Sequence, residues 1–173
     1  RAGVRVSNTP DVLTDATADL ALLLLLMATR RAGEGERELR AGRWTGWRPT
    51  HLMGLGVAGR TLGLIGYGRI AQATARRAHA ALGMRIAYNS RRRATPEGEA
   101  ECAAQYVDSV DALLARSDVV SLHCSLTAEN REMVDARLLG LMKPQAVLIN
   151  TARGGLIREA DLARALDEGR IAG

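Results

Sequence analysis

One short stretch constrains the fold of this chain more than any other. Residues 62–65 form an apolar run typical of a buried parallel strand, and residues 70–82 form an alanine-rich segment that favours a helix. The pattern G-x-G-x-x-G/A is matched by Gly66 and Gly68, between the two segments, and by Ala71, inside the helical one. Such a turn lets a pyrophosphate approach the backbone and bind the free N–H groups at the helix start. The stretch therefore predicts dinucleotide binding, and the alternative is a tight strand–helix turn with nothing bound.

The composition sets bounds on the protein class. The chain has 173 residues, 25% charged and 47% hydrophobic, and a net charge of +5, as expected for one globular domain over residues 1–173. Because no basic patch is interleaved with aromatic residues, we expect no nucleic-acid partner. The apolar run 20–28 is shorter than the ~20 residues that span a membrane, so we expect no membrane segment. Cys102 and Cys124 lack disulfide or metal spacing, which predicts a cytoplasmic protein without a metal site.

The rest of the chain alternates between short apolar runs and helical patterns. We predict strands at residues 4–7, 62–65, 84–88, 106–107, 118–122 and 146–149, with a turn at 8–11. We predict helices at residues 14–31, 70–82, 96–104, 110–115, 130–142 and 159–168, and an irregular connector at 33–59 with a helical turn at 36–41. This alternation is typical of an α/β, Rossmann-like, doubly wound parallel sheet with helices on both faces.

The first helix and the connector after it carry more apolar surface than one small domain readily covers. The helix is apolar nearly all round, and the connector contains Trp44 and Trp47, the only tryptophans. Such a helix is either a central core helix of one subunit or partly covered by a partner subunit. The tryptophans are packing anchors or, at a surface, interface anchors. The pattern thus leaves a homodimer as one of two interpretations.

The end of the second strand predicts which dinucleotide binds. In NAD-binding folds an acidic residue roughly 20 positions after the glycines binds the ribose hydroxyls. Here no acid is present, and the strand ends in Asn89, Ser90, Arg91, Arg92 and Arg93. Arginine binds a 2′-phosphate through paired hydrogen bonds, so the sequence predicts NADPH in preference to NADH. The alternative is a solvated basic turn.

A third site follows the last strand. The apolar run 146–149 is followed by Asn150, Thr151, Ala152 and Arg153 and then by two glycines. Ligands of open α/β sheets bind at the carboxyl edge, where this strand ends. Arg153 is a candidate to pair with a substrate carboxylate and polarise its carbonyl. From the residues alone, a structural arginine is equally compatible.

Three motifs together resemble one family. The runs Gly66–Gln72 (GYGRIAQ), His123–Thr127 (HCSLT) and Asn150–Gly155 (NTARGG) look like those of the D-isomer-specific 2-hydroxyacid dehydrogenases. The resemblance covers essentially the whole chain. The turn at Asn89–Arg92 is most similar to NADPH-preferring glyoxylate, hydroxypyruvate and 2-ketogluconate reductases, which implies a small 2-keto acid as substrate. In the family, dimers form through this domain, so the resemblance also implies a homodimer.

The resemblance implies roles for individual residues. It implies that Gly68, Arg69, Ile70 and Ala71 hold the pyrophosphate, and that Ser90, Arg91 and Arg92 hold the 2′-phosphate. It places Cys124 and Glu129 beside the cofactor, Thr151 and Ala152 along the nicotinamide, and Arg153 as the catalytic, substrate-orienting arginine. Asp161 and Leu162 look like fold residues.

The departures from the family pattern concern the acid–base residues. The family's catalytic glutamate and acid histidine have no counterpart in this sequence, and His51, His79 and His123 match neither. His123 follows a predicted strand near the cofactor, which leaves a proton-transfer role open. We therefore expect the cofactor-binding domain of a longer two-domain enzyme. The alternatives are a dinucleotide-sensing protein similar to the family's corepressors and a pure assembly module.

Overall fold

The computed structural model describes residues 3–5, 7, 9 and 11–173. The strands are β1 (Thr61–Ile65), β2 (Arg85–Asn89), β3 (Gln105–Tyr106), β4 (Val119–Leu122) and β5 (Val147–Asn150). The α-helices are α1 (Thr14–Thr29), α2 (Ala32–Arg40), α3 (Arg69–Leu82), α4 (Pro96–Ala100), α5 (Val110–Arg116), α6 (Ala136–Leu139) and α7 (Glu159–Asp167), with a 3₁₀ turn at Gly154–Leu156.

The five strands form one parallel sheet in the order β3-β2-β1-β4-β5. The chain runs outward from β1 to β3, then crosses back to place β4 on the other side of β1. The strand order therefore reverses between β1 and β4, which is where open α/β sheets bind ligands at their carboxyl edge. The predicted Rossmann-like sheet is confirmed.

Two hydrophobic cores cover the two faces of the sheet. One core contains Leu25 from α1 and Ala71, Ala75 and Ala78 from α3. The other contains residues of α5, α6 and α7, among them Leu113, Leu114, Leu138, Leu139 and Ala165. The alanines of α3 let that helix lie close to the strands, because each buried side chain ends at Cβ. The predicted helices on both faces are thus confirmed.

The apolar helix α1 is buried on one side only. Leu25 is fully buried, whereas Leu20 and Leu23 are 47% and 53% exposed. Trp44 and Trp47, in the segment after α2, are also exposed, at 53% and 82%. Within this subunit α1 is therefore not a wholly internal helix. No helix in the described part of the chain combines the length and apolar character needed to cross a membrane.

Several predicted elements were wrong in extent. The predicted helix 130–142 is only the single turn α6, which begins after Asp135, whose side chain caps it by accepting from Leu138 N (3.0 Å). Upstream, Val134 forms a parallel bridge with Ile157 instead of helix. The helix predicted at 96–104 ends at Ala100, and Ala103 has a left-handed φ of 51° that a helix does not accept.

Two further differences lie in the first sixty residues. The helical turn predicted at 36–41 in the connector is part of the longer, nine-residue helix α2, which is supported by an Arg40–Glu36 ion pair one turn apart. The strand predicted at 4–7 and the turn predicted at 8–11 include residues 6, 8 and 10, which lie outside the described residues. Val4, Arg5 and Ser7 are not in a strand.

Candidate functional site

The turn after β1 contains two glycines, and a different structural reason favours glycine at each position. Gly66 has φ of 88°, and a Cβ there would lie 2.8 Å from the backbone nitrogen of Cys124. The close passage of the β4 end therefore requires this glycine. Gly68 has an ordinary negative φ, and a Cβ there would meet no protein atom within 4 Å. The open space beside Gly68 is what an approaching phosphate group needs, so the turn fits a dinucleotide.

The start of α3 offers free hydrogen-bond donors beside that space. Gly68 is the N-cap, has no side chain, and accepts the first helical hydrogen bond from Gln72 N (2.9 Å). The N–H groups of the first turn have no partner inside the helix and carry its positive dipole end. The third small position, Ala71, is fully buried against the sheet. The Arg69 guanidinium, at the mouth, pairs with the Asp11 carboxylate.

The end of β2 leads into what we call the arginine loop, residues 90–94. The Asn89 amide donates to the Val107 carbonyl (2.8 Å), which fixes that side chain at the edge of the cleft. The Ser90 hydroxyl donates to the Arg92 carbonyl and so shapes the loop. Arg91 and Arg92 are exposed, and neither forms an ion pair within the described residues. The loop therefore offers two unpaired guanidinium groups where the sequence predicts recognition of a 2′-phosphate.

The loop after β4 closes the opposite wall. Burial lowers the pKa of His123 to about 4, and the ring forms a 2.9 Å hydrogen bond with the Ser121 hydroxyl. Burial also raises the pKa of the half-buried Cys124 thiol, so this thiol is not an activated nucleophile. A hydrogen bond with Thr127 lowers the pKa of Glu129, and the positive charge of Arg91 lowers it further.

These segments enclose a cleft of about 980 Å³ at the carboxyl edge of β1, β2 and β4. Of the residues predicted to bind the cofactor, it is lined by Gly66, Gly68, Asn89, Ser90, Arg91, Arg92, Cys124 and Glu129. A smaller cavity of about 340 Å³ adjoins it at Gly68 and His123, and is lined by Arg69, Ile70 and Ala71. The structure thus brings eleven predicted residues together along one edge of the sheet.

The three remaining predicted residues, at the end of β5, line neither cavity. The Thr151 hydroxyl is buried and is the one such side-chain polar atom among the described residues without a hydrogen-bond partner. The Ala152 N–H donates to the Asn150 side chain (3.0 Å). Arg153 is exposed and donates to the Ala152 carbonyl (2.7 Å). The order of the strands places this segment beside the loop after β4, at the same carboxyl edge of the sheet as the cleft.

Other residues of the cleft were not predicted. Val110, at the start of α5, and Met133 line it as apolar walls. Asn130 holds the β4 loop, since it accepts from Thr127 N (2.7 Å) and donates to the Ser125 carbonyl (2.8 Å). An asparagine in a loop after an apolar strand is a usable signal for such loop bracing. Val110 and Met133 give no signal, because apolar residues in short helices and loops also fill ordinary cores.

Metal-binding clusters and histidines are two further features that bear on the chemistry of the described residues. Within them there is no group of three or more His, Cys, Asp or Glu side chains able to hold a metal ion. Each histidine ring has one hydrogen-bond partner: Glu38 for His51, the Met84 carbonyl for His79 and Ser121 for His123. The cleft, with open space beside Gly68 and the exposed Arg91 and Arg92 in its lining, fits an anionic organic molecule.

Comparisons with known proteins agree with this geometry. Residues 22–173 match the NAD binding domain of D-isomer specific 2-hydroxyacid dehydrogenases. A glyoxylate reductase from Thermococcus litoralis is 50% identical over 177 aligned residues, which cover 100% of this chain and 53% of that protein. A glyoxylate reductase structure from Paecilomyes thermophila has a TM-score of 0.88 and 43% identity, over 98% of this chain and 50% of that chain.

A holo structure of Rhodotorula graminis D-mandelate dehydrogenase has a TM-score of 0.90 at 34% identity, over 98% of this chain and 50% of that chain. The chain spans about half the length of the curated relatives it matches. The resemblance drawn from the three sequence motifs is thereby confirmed. The chain belongs to the D-isomer specific 2-hydroxyacid dehydrogenase family, and its cofactor is a nicotinamide dinucleotide.

Proposed function

We propose that this chain is the cofactor-binding domain of an NADPH-dependent reductase of small 2-keto acids. Glyoxylate is the first substrate to test, because relatives across the whole chain are glyoxylate reductases. Hydroxypyruvate and 2-ketogluconate share the same carboxylate and keto group and belong to the same proposal. When bound, NADPH supplies the hydride that reduces the keto carbon.

The preference for NADPH rests on one observation at the arginine loop. Asn89 stands where an NAD-binding site carries an acid, and Arg91 and Arg92 are unpaired within the described residues. The 2′-phosphate of NADPH carries up to two negative charges that a guanidinium binds through paired hydrogen bonds. NADH offers no such group, so these arginines discriminate between the two cofactors.

Three sets of residues divide the work of binding. We assign the pyrophosphate to the backbone of Gly68 and the first turn of α3. Cys124 and Glu129 border the cofactor from the β4 loop. We assign Thr151 and Ala152 to the nicotinamide end, and Arg153 to the substrate carboxylate and keto oxygen, where a fixed positive charge stabilises the developing alkoxide.

The proton for the keto oxygen needs a donor within hydrogen-bond reach. We propose that none of the three histidines here supplies it, since His51 and His79 line neither the cleft nor the adjoining cavity, and the lowered pKa of His123, about 4, keeps that ring neutral. We further propose that residues 1–173 form one domain of a longer, two-domain enzyme, which is supported by relatives about twice as long. Two unpaired thiols, Cys102 and Cys124, fit the proposed cytoplasmic location.

We also propose that this domain forms a two-fold homodimer. The support is the exposed apolar side of α1, at Leu20 and Leu23, together with the exposed Trp44 and Trp47. Clusters of exposed large apolar residues are typical of protein–protein contacts, and tryptophan is prominent among the residues that dominate their binding energy.

Titration calorimetry of the chain with NADPH and with NADH tests the cofactor assignment. Hydrogen bonds to charged groups contribute about 1.5–3 kcal/mol, so we expect NADPH to bind roughly 10- to 100-fold more tightly. Arg91→Ala removes most of that difference, whereas Arg116→Ala, at an exposed arginine that ends α5, leaves it intact. Equal affinities of the wild-type chain for both cofactors contradict the proposal. Turnover of glyoxylate by the full-length protein separates an enzyme from a dinucleotide sensor.

A further inference from the structure

A hydrogen-bonded clamp holds the far end of the arginine loop. Arg93 donates through Nε and Nη2 to the two carboxylate oxygens of Glu99, at 2.8 and 2.9 Å. The Tyr88 hydroxyl donates to Glu99 Oε1 (2.6 Å) and accepts from Ala94 N (2.9 Å). The Arg93 guanidinium also lies over the Tyr106 ring, 5.6 Å from its centre. We call the Tyr88–Glu99–Arg93 group the clamp.

The clamp is better sheltered than an ordinary surface ion pair. Tyr88 is fully buried, and the Glu99 side chain is only 15% exposed although Arg93 is 64% exposed. An isolated exposed ion pair contributes little, but a bidentate pair joined to a buried hydroxyl forms a network with defined geometry. Its parts join three elements, because Tyr88 lies in β2, Glu99 in α4, and Arg93 in the loop between them.

The charges of the clamp persist across the neutral pH range. Hydrogen bonds from Arg93 and then from Tyr88 lower the pKa of Glu99 to about 2, so its carboxylate remains ionised. Burial, followed by the bond to Glu99, raises the pKa of Tyr88 to about 12, so its hydroxyl remains a donor.

The clamp divides the three consecutive arginines into two groups. Arg93 is paired with Glu99 through Nε and Nη2, while Arg91 and Arg92 form no ion pair within the described residues and line the cleft. The loop is braced at its other end by the Ser90 hydroxyl on the Arg92 carbonyl. Arg91 and Arg92 thus lie between the Ser90 hydrogen bond and the clamp, and these two contacts limit the conformations of their backbone.

We propose that Glu99 is a positioning residue for recognition of the cofactor's 2′-phosphate, through its clamp on Arg93 and Tyr88. A loop already held in its binding conformation loses less entropy when the phosphate binds, so the loop binds the phosphate more tightly. Glu99 contributes to this affinity without contacting the phosphate itself. This inference rests on the proposed preference for NADPH. It also requires that Arg93 is not a ligand of the phosphate.

The sign of the expected effect separates this role from bulk electrostatics. Removing a negative charge near an anion site ordinarily strengthens anion binding, because repulsion falls. Removing the Glu99 charge breaks the clamp and weakens binding of the phosphate instead. Glu97 is an exposed acid on the same helix that forms no ion pair within the described residues, so Glu97→Gln is the matched control for charge.

The experiment measures NADPH and NADH affinity of the chain by calorimetry for the wild type, Glu99→Gln, Tyr88→Phe and Glu97→Gln. Each immobilised long side chain costs binding about 0.5–1.5 kcal/mol when it must be ordered, so we expect NADPH affinity to fall about two- to tenfold in Glu99→Gln and Tyr88→Phe. NADH affinity stays unchanged in both, since NADH lacks the phosphate. Glu97→Gln keeps or slightly strengthens NADPH binding.

The outcomes distinguish this inference from the proposed function. If the wild type binds both cofactors equally, the NADPH assignment and this inference both fail. If the wild type prefers NADPH and Glu99→Gln keeps or increases that preference, only the inference is overturned. An equal loss for NADPH and NADH also overturns it, since it indicates general damage to the cleft. If Tyr88→Phe does not fold, Glu99→Gln, at a partly exposed position, decides alone.

Discussion

Gly66 and Gly68 are two positions apart, and the structure predicts opposite consequences for replacing them by alanine. In Gly66→Ala the left-handed φ of 88° costs about 1–2 kcal/mol for a residue with a Cβ. The new Cβ also lies 2.8 Å from Cys124 N and 2.9 Å from His123 O, which are backbone atoms that cannot rotate away. Overpacking of this kind adds about 1–3 kcal/mol, so we expect the free energy of unfolding to fall by about 2–5 kcal/mol.

Gly68→Ala leaves the fold intact and harms binding. Its φ of −80° suits any residue and its Cβ meets no protein atom, so stability changes by less than about 1 kcal/mol. The methyl group occupies the space proposed for the pyrophosphate, and we expect NADPH affinity to fall at least about tenfold. Urea denaturation and calorimetry measure the two quantities separately. A stable Gly66→Ala chain, or a Gly68→Ala chain that binds normally, would refute this division of roles.

Three further predictions concern stability, assembly and turnover. Asp118→Asn replaces by a neutral amide the nearly buried carboxylate that accepts from Thr61 N and Lys143 Nζ, both at 2.9 Å. We expect the free energy of unfolding, measured by urea denaturation, to fall by roughly 1–3 kcal/mol. The control Asp111→Asn, at an exposed ion pair, changes stability by less than about 1 kcal/mol. Sedimentation at micromolar concentration shows a dimer for the wild type and more monomer for Trp47→Lys, and a wild-type monomer contradicts the homodimer. The chain binds NADPH but does not oxidise it with glyoxylate, as followed by NADPH absorbance, and clear oxidation means that the proton donor is misassigned.

Much of the sheet could be predicted from the sequence because buried parallel strands are continuous apolar runs. The predicted run 118–122 contains β4 with one extra residue at its start, and the run 146–149 is shifted by one residue from β5. The glycine pattern also predicted the turn between β1 and α3, because the structural requirements for that pattern are local. They are a left-handed φ, open space for a ligand beside the backbone and a small buried residue. These features depend on a few neighbouring residues and so are visible in the sequence.

The features that were missed depend on contacts between distant residues. The predicted helix 130–142 failed because Val134 pairs with Ile157, twenty-three positions later, so that helix begins only after it. The clamp was also invisible, because three consecutive arginines look alike in the sequence. Only the fold shows that Glu99 takes Arg93 and leaves the other two unpaired within the described residues. Which of several identical side chains forms an ion pair is decided by the tertiary structure.

His123 gives the last prediction, which concerns pH. In the unfolded chain its imidazole gains a proton near pH 6.5, whereas burial in the native state lowers the pKa to about 4. Between these values the unfolded state binds more protons, so the free energy of unfolding falls as the pH is lowered. The loss begins below pH 6.5 and stops near pH 4, where the native ring also becomes charged.

The size of this effect follows from the same two pKa values. From about pH 7.5 to about pH 5 the wild type should lose roughly 2 kcal/mol of stability that His123→Asn does not lose. Carboxylates contribute little in this window, because Glu99 and Asp118, whose pKa values are lowered, titrate at more acidic pH. Urea denaturation at several pH values measures the difference, and ring NMR signals report the titration directly. A His123 ring that titrates near pH 6.5 contradicts the lowered pKa and the neutral ring. Such a ring would carry charge beside the cleft at pH 6, and His123 would then become the first residue to test as the proton donor.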